Sequence, residues 1–330
     1  MSRPVPPRRP SPAPAASLPA VLAAVALLLT ACGTQDAGAG GVGGAAVGSS
    51  PSPSVSRIDD PGKDGVRITS LTLPSPSPSP SASATRGRSV SADTLGTDVD
   101  SGISATYEVT NEGTETLTYS VVFTFTSDDG GAMANRTATV RDVGPGKTVR
   151  GTVLAGELPP TTPRVTGAKV LTVTKVPADE APAEPGACPA SGIRISADDG
   201  DAAMGLRVVG LRLDNCGTRA YTVEGYPLLE LLDADRGPVD GVEILDGSGE
   251  ITTGAGPDEP PRPVTLQPGE RATASLVWRN TTEAGTAVNV PYVRVRAKAG
   301  ADPVTVTPDL DLGTTGKLGV RPWAKLEEED

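Results

Sequence analysis

The sequence predicts an all-β protein in which two tandem immunoglobulin-like β-sandwiches follow a disordered tether rich in Gly, Pro and Ser. Three observations predict this class. From position 103 onward, apolar and polar residues alternate with a period of two, which is typical of strands with one buried face. Turn signals rich in Gly, Asn, Asp and Pro separate these runs. No segment shows the sustained 3.6-residue apolar repeat of an amphipathic helix.

Residues 1–31 have the organisation of a secretory signal, with arginines among the first nine residues followed by an apolar run. This run of about a dozen residues is shorter than the roughly 20 that a membrane-spanning helix needs. It ends in Leu29-Thr30-Ala31-Cys32, the pattern of a lipoprotein signal. We expect lipidation of Cys32 and attachment to the extracellular face of the cell membrane through the acyl chains. The alternative is an ordinary signal peptide, or a short buried helix with an accidental cysteine.

Residues 32–100 are predicted to be the lipidated cysteine and a disordered tether. The chain has 39 Gly and 33 Pro, and its first aromatic residue is Tyr107. Such a composition buries too little apolar surface to offset the entropy of ordering. The stretch 65–73 is β-prone and could be the first strand of the next domain. In that case the residues from 74 to 100 form a long loop, and otherwise the whole stretch is tether.

The first sandwich is predicted over residues 101–177, with about seven short strands. Alternating apolar residues lead to a turn at Asn111-Glu112-Gly113. After the turn, the apolar residues again fall on one face. They are Leu117, Tyr119, Val121, Phe123 and Phe125. We interpret the two runs as a hairpin with one buried side.

The second sandwich is predicted over residues 188–324, after a linker at 178–187 and before an acidic tail at 325–330. It repeats the plan of the first, because Asn215 and Pro268 correspond to Asn111 and Pro145. The second pair is about 19 positions further apart than the first. The additional residues fall near 247–263, where Gly, Asp, Glu and Pro predict a surface segment.

The chain has three cysteines. With Cys32 assigned to the lipid, Cys188 and Cys216 remain as an even pair in an oxidising compartment, which predicts one disulfide. Closing a loop of about 28 residues would stabilise the fold by roughly 3 kcal/mol. A metal site is the alternative, but two thiols without any His make a poor ligand set.

Composition also limits the function. The formal net charge of −11 argues against nucleic acid and against polybasic attachment to anionic lipids. The absence of His removes Ser-His-Asp and Cys-His catalysis. We expect no enzymatic activity, no cofactor and no metal, and partners in a cell-wall polymer or an envelope protein; the oligomeric state is left open. The alternatives are a wall-acting hydrolase or transferase without His, and an accessory lipoprotein that captures calcium or another ligand.

The candidate sites are each weighed against a structural role. The acid pairs Asp128-Asp129 and Asp198-Asp199 could serve catalysis, but both lie in Gly-flanked turns. We expect them to be exposed and far from any deep pocket with convergent carboxylates. Four acidic residues could supply calcium with oxygen ligands, but the segment lacks the Gly position and bidentate Glu of a calcium loop, and we favour a hairpin turn: Asp233, Asp235, Asp240 and Glu243. Four aromatic residues could stack on a sugar or belong to the core: Trp278, Trp323, Tyr226 and Tyr292.

Three ordered blocks in the C-terminal half carry a resemblance to a known family. They are Asn215-Cys216-Gly217, then Gly225-Tyr226-Pro227, then Pro268-Gly269 with Trp278 nine residues later. This region resembles the actinobacterial domain-of-unknown-function family numbered 4232, over roughly residues 188–323. The resemblance implies a β-sandwich in secreted or lipid-anchored proteins and supplies no catalytic residues. We therefore expect a non-enzymatic, lipid-anchored protein that displays two modules for binding or scaffolding at the cell surface.

Overall fold

The computed structural model describes residues 53–58, 60–74, 101–159, 161–253 and 258–326. These residues form 21 strands and no helix. The predicted signal, Cys32, most of the tether and the end of the acidic tail lie outside the described residues. Within the described part of the chain, no helix has the length and apolar character to cross a membrane.

The first domain contains seven strands in two sheets. They are β1 (Ser54–Arg57), β2 (Val66–Leu73), β3 (Ser104–Thr110), β4 (Leu117–Ser127), β5 (Ala132–Val143), β6 (Thr148–Leu154) and β7 (Val165–Pro177). One sheet has the order β1-β2-β3-β6 and the other the order β5-β4-β7. The buried faces of the two sheets enclose one core, in which the rings of Tyr107 and Phe123 lie 4.7 Å apart. This is the sandwich that the alternation predicts.

The β-prone stretch before the long loop is part of this domain. Strand β2 pairs antiparallel with β3 from Val66 opposite Val109 to Thr72 opposite Ser104. Strand β1 lies within the segment assigned to the tether, and it pairs with β2 at the edge of the same sheet. All four β1 residues are exposed, so the strand has no apolar alternation by which the sequence could reveal it. Main-chain hydrogen bonding to β2 holds it in place.

The predicted hairpin on either side of Asn111 is wrong. Strand β3 pairs with β2 and β6, whereas β4 pairs with β5 and β7. The turn at Asn111 therefore carries the chain from one sheet to the other. Periodicity shows which face of a strand is buried, but it does not show whether the facing strand is in the same sheet. The buried face of β4 is the predicted one, because the five apolar residues predicted to share it are at most 6 % exposed.

The second domain contains the remaining strands. They are β8 (Ile193–Ala197), β9 (Asp201–Ala203), β10 (Leu206–Asn215), β11 (Tyr221–Val223), β12 (Leu228–Leu232), β13 (Glu243–Asp246), β14 (Val264–Leu266), β15 (Arg271–Arg279), β16 (Val288–Val290), β17 (Tyr292–Arg296), β18 (Val304–Val306), β19 (Leu310–Gly313), β20 (Lys317–Val320) and β21 (Ala324–Lys325). The larger sheet has the order β13-β20-β15-β10-β8, and the facing sheet is β12-β17-β18. Two short pairs, β11-β14 and β16-β19, lie beside them.

Both domains follow an immunoglobulin-like strand plan. The trio β2-β3-β6 and the trio β8-β10-β15 each have the A-B-E order of such sandwiches, and β12-β17-β18 has the C-F-G order. A carboxylate on each central strand also lies between two arginines on the neighbouring strands. Glu108 contacts Arg67 and Arg150. Asp214 contacts Arg194 and Arg271 in the same way.

The second domain is longer than the first by the residues near 247–263. They follow β13, which pairs in parallel with β20. The following segment is held to the domain by Asp258. Its carboxylate accepts hydrogen bonds from the hydroxyl and the main-chain N–H of Ser248 at 2.8 and 2.7 Å, and it pairs with Arg321. Burial raises the pKa of Asp258, but these contacts outweigh it and hold the pKa below its usual value. Ser50–Asp330 form one compact unit, so both sandwiches and the segment between them belong to one body.

Candidate binding cleft between the two domains

Cys188 and Cys216 form the predicted disulfide, which closes a loop of 28 residues. The bond connects the segment before β8 to the turn that follows β10. Beside it, the Asp214 carboxylate contacts Arg194 at 2.5 Å and Arg271 at 3.3 Å. This cystine fixes the start of the second domain to the middle of its larger sheet, and it gives both cysteines a structural role.

One aspartate of each acid pair caps its own turn. Asp129 accepts hydrogen bonds from the Ser127 hydroxyl and from the Gly131 main chain, and these contacts lower its pKa. Asp198 accepts from the main-chain N–H groups of Gly200 and Gly210 at 3.0 and 2.8 Å. Both pairs are exposed, as expected. Asp199 also lines the cleft described below.

The calcium hypothesis gains no support from the placement of its four acidic residues. Asp233 accepts hydrogen bonds from the main chain of Asp235 and Gly237 at 2.9 and 2.8 Å, which closes a hairpin turn. Glu243 pairs with Lys317 on the neighbouring strand. Within the described residues, no group of three or more acidic, Cys or His side chains is arranged to hold a metal ion. The geometry therefore favours the interpretation of Asp233 and Asp235 as part of a hairpin turn.

Three of the four aromatic candidates belong to the core of the second domain. Trp278 and Trp323 are each 2 % exposed, and the Trp323 indole donates to the Ala297 carbonyl at 3.0 Å. Tyr226 packs against the same core. Tyr292 is different, because it lies where the two domains meet.

Tyr292 begins β17 and packs against the end of the first domain. With Leu232 it forms a small apolar cluster around Val176 of β7. Its hydroxyl oxygen accepts a hydrogen bond from the main-chain N–H of Lys175 at 3.2 Å. This contact places one aromatic side chain of the second domain directly on the outer β7 edge of the first.

The segment predicted to be a linker is bound on both sides. Glu180 contacts the second domain three times: its carboxylate accepts from Arg294 at 2.8 Å and from the Thr305 hydroxyl at 2.7 Å, and its carbonyl accepts from the Thr305 main chain at 2.8 Å. On the other side, Arg141 of β5 donates to the Pro182 carbonyl at 2.9 Å and pairs with Glu184. Arg236 also pairs with Glu115 across the two domains. The linker residues therefore hold the domains together.

Between the domains lies a cleft of about 540 Å³, which we call the interdomain cleft. One wall is the outer face of the β5-β4-β7 sheet, and the other is the segment around Tyr292 and Thr307 of the second domain. Hydroxyl groups line much of it. They belong to Ser120, Thr137, Thr172, Thr174, Tyr292 and Thr307. Lys175, 3.6 Å from Asp64, also lines the cleft, and Asp199 and Asp309 add negative charge to it.

A smaller chamber of about 170 Å³ lies next to the cleft and shares Ser120, Thr174 and Thr307 with it. Thr118 lines this chamber and is 7 % exposed. Its hydroxyl has no hydrogen-bond partner among the described residues. Buried polar groups are nearly always paired, so this hydroxyl is a group to which the fold assigns no intramolecular role.

An open depression of about 310 Å³ on the second domain has a different character. Asp311 lies in it and accepts hydrogen bonds from the Trp278 indole at 2.9 Å and from Asn280 at 2.8 Å. Arg207 lies 3.3 Å away. Burial raises the pKa of Asp311, but these contacts outweigh it and hold the pKa below its usual value. Because its carboxylate is already bonded to these partners, we assign Asp311 a structural role.

Sequence reasoning did not find the interdomain cleft. Its walls come from alternate residues of strands in one domain and from loop residues of another, so no local motif marks it. The available signal was a short run of alternate hydroxyl residues, Thr118 and Ser120 on β4 and Thr172 and Thr174 on β7. That run shows a polar outer face, but not that another domain covers it.

The fold defines a protein of two tandem immunoglobulin-like β-sandwiches joined by a bound linker. Residues 188–324 match the model of a family described as Domain of unknown function (DUF4232), which confirms the resemblance seen in the sequence. The match covers the whole second sandwich, and the first sandwich lies outside it. No curated protein matches the chain.

Proposed function

We propose that the chain is a non-enzymatic, lipid-anchored cell-envelope protein that displays its two sandwiches as one body for binding or scaffolding at the cell surface. The observation that carries this proposal is the bound linker. A flexible linker would allow the domains to separate, whereas Glu180 and Arg141 attach this one to both domains. The result is one body with a cleft lined by both apolar and hydroxyl side chains, which is the form of a small-molecule binding site.

Three further features support the proposal. Leu29-Thr30-Ala31-Cys32 has the pattern that directs lipidation of the cysteine sulfur. The disulfide fits an oxidising compartment, where such bonds persist. Asp129 and Asp198, one from each of the acid pairs weighed for catalysis, are bonded within their own turns, which favours a role without chemistry.

Palmitate labelling of the full chain in its native cells tests the anchoring. We expect the wild-type chain to take up labelled palmitate and sediment with membranes. The Cys32→Ala variant should lose both properties, and Thr34→Ala, a control two positions away, should keep them. Unchanged labelling of Cys32→Ala, or recovery of the chain in the cytosol with residues 1–31 attached, would contradict the proposal.

The display function has its own test. The released Cys32→Ala chain is mixed with washed cell envelopes from the same cells and the suspension is centrifuged. We expect saturable retention on the envelopes, since a displayed binding protein has its partner there. Retention that does not saturate, or none at all, would remove binding from the proposal.

A further inference from the structure

We propose that the outer face of the β1-β2-β3-β6 sheet docks on an anionic phospholipid membrane. This face, which we call the arginine face, carries Arg57, Arg67 and Arg150. The inference rests on the proposed anchoring through Cys32, and it adds the orientation in which the anchored protein lies on its membrane. It starts from the side chains that the strand register brings together.

The register arranges the outward side chains of this sheet in rows. Leu71, Ala105 and Val153 are buried in the core, so their neighbours along each strand point outward. The three outward rows are Val55, Thr72, Ser104 and Leu154; then Arg57, Ser70, Thr106 and Thr152; then Arg67, Glu108 and Arg150. The arginines therefore lie in two neighbouring rows of one sheet face.

The arginine face is positive in a chain whose net charge is −11. Glu108 contacts Arg67 at 2.5 Å and Arg150 at 2.7 Å, and these contacts hold its pKa below its usual value, so it is ionised. Arg57 is exposed in the adjacent row. Three positive charges thus accompany one negative charge. At about 0.1 M salt the Debye length is about 10 Å, so a membrane in contact with this face responds mainly to these four groups.

The two arginines beside Glu108 remain open to solvent. Their side chains are 62 % and 78 % exposed, whereas Arg194 and Arg271, which hold Asp214 in the second domain, are 20 % and 45 % exposed. Pairing with the carboxylate therefore does not use all the donors of Arg67 and Arg150. A guanidinium group matches the geometry of a phosphate, which is the charged group of phospholipid heads.

Two apolar side chains in the first row favour a membrane over a soluble anionic polymer. Val55 and Leu154 are 65 % and 53 % exposed, and they lie at opposite ends of that row. A soluble polyanion would leave them in water. The boundary between headgroups and acyl chains takes up apolar side chains next to cationic ones.

The position of the arginine face in the chain also favours the membrane. Ser54 follows Cys32 by 22 positions, so the two are at most about 75 Å apart. Ser54 begins β1, and β1 is the edge strand of this sheet. An acyl chain on Cys32 therefore brings this face within reach of the membrane.

Arginine footprinting of membrane-bound protein tests the proposal. The chain from Cys32 onward contains the whole compact unit Ser50–Asp330. It is coupled to a maleimide phospholipid through the Cys32 thiol, since the other two cysteines form the disulfide. Vesicles of phosphatidylcholine are compared with vesicles of equal parts phosphatidylcholine and phosphatidylglycerol. Phenylglyoxal modifies exposed arginines, and mass spectrometry measures the rate at each position.

We expect Arg57 and Arg150 to react at least about fivefold more slowly on the anionic vesicles, the factor that one basic side chain near an anionic surface contributes. Arg164, before β7, and Arg212, in the second domain, are exposed outside this face and should react alike on both vesicles. Raising the salt to about 1 M, where the Debye length is about 3 Å, should remove the protection.

Two charge reversals separate the arginine face from the net charge of the chain. Arg57→Glu brings the charge of the face to zero, so the reactivity of Arg150 should return to its value on phosphatidylcholine vesicles. Arg164→Glu changes the charge of the chain by the same amount, and it should leave Arg150 protected.

Equal rates at Arg57 and Arg150 on both vesicles would overturn the proposal, as would protection that Arg57→Glu leaves intact. Protection on both vesicles that rises with protein density would assign the face to a second copy of the chain. Protection by added polyphosphate, with none by anionic vesicles, would assign it to a soluble polymer. Because the coupling is synthetic, none of these outcomes affects the palmitate and envelope tests. Absent palmitate labelling together with protected arginines would contradict the anchoring and keep the membrane-docking face.

Discussion

The side-chain amides of Asn111 and Asn215 make the same hydrogen bonds in the two domains. Asn111 donates to the carbonyls of Glu115 at 2.8 Å and Val143 at 2.6 Å, and its oxygen accepts from the Gly113 main chain. Asn215 repeats this pattern in its own domain, and one of its two acceptors is again the carbonyl four residues ahead. It donates to the carbonyls of Arg219 at 2.8 Å and Leu266 at 2.9 Å, and accepts from Gly217.

The main chain of the two residues is bonded alike as well. Asn111 donates to the Lys147 carbonyl, and its own carbonyl accepts from Gly146. Asn215 donates to Glu270 and accepts from Gly269 in the same manner. One buried asparagine in each domain therefore connects the turn between the two sheets to the Pro-Gly turn that precedes the E strand.

Replacing Asn215 by alanine should destabilise the protein by about 1–3 kcal/mol, because the buried Leu266 carbonyl and the Arg219 carbonyl would lose their donor. Urea unfolding followed by near-ultraviolet circular dichroism measures the change, since Trp278 and Trp323 both report on the second domain. Asn135→Ala, at an exposed position of β5, is the matched control and should change stability by less than about 0.5 kcal/mol. An Asn215→Ala midpoint equal to that of the control would show that the repeated pattern carries no stability.

These asparagines also show how far the sequence predicts the fold. The separation of Asn111 from Pro145, compared with that of Asn215 from Pro268, indicates the repeat and the surface position of the additional residues near 247–263. The face that β4 buries follows from alternation. The pairing of β3 with β2 and β6 does not, because in-plane partners are set by contacts between residues distant in the chain.

The candidate site is less accessible to sequence reasoning. The disulfide follows from the even pair of cysteines that remains when Cys32 is set aside, and the turn roles of Asp129 and Asp198 follow from neighbouring glycines. The linker has the composition of a flexible segment, yet Glu180 is held by Arg294, 114 positions away. Ion pairs between such distant residues exist only once both domains have folded, so neither the bound linker nor the cleft has a local signature.

The disulfide should stabilise the second domain by roughly 3 kcal/mol, as expected for a closed loop of 28 residues. The paired variant Cys188→Ala with Cys216→Ala removes it without leaving a free thiol. Urea unfolding with and without a reducing agent measures the effect. The wild type should lose stability on reduction, and the paired variant should be insensitive to the reducing agent. Equal midpoints for the oxidised and reduced wild type would show that the bond is energetically neutral.

Asp311 should make stability depend on pH. Its folded-state pKa lies below its usual value, so its contribution is present above the unfolded pKa, roughly 3.9. That contribution is lost as the pH falls through the lower folded pKa. Asp311→Asn should therefore cost about 1 kcal/mol at pH 7, a modest loss because the side chain is 41 % exposed.

The difference between Asp311→Asn and the wild type should shrink as the pH falls below the usual aspartate range. Thermal unfolding from pH 7 to pH 3 measures it, and Asn135→Ala, which removes no titratable group, controls for the substitution itself. A difference that stays constant over this range would show that the Asp311 charge does not contribute.

Glu180 should control whether the two domains stay together. Glu180→Ala removes the acceptor for Arg294 and for the Thr305 hydroxyl, both of which are partly or fully buried. We expect the linker to open more often, at a cost of about 1.4 kcal/mol, which corresponds to a tenfold change in the open population. A protease that cuts on the N-terminal side of aspartate should then cut between Ala178 and Asp179 about tenfold faster, because cleavage follows the open population. Glu224→Ala, which removes an exposed glutamate of the second domain, should be cut at the wild-type rate, and equal rates for the two variants would mean that Arg294 and Thr305 do not hold the linker.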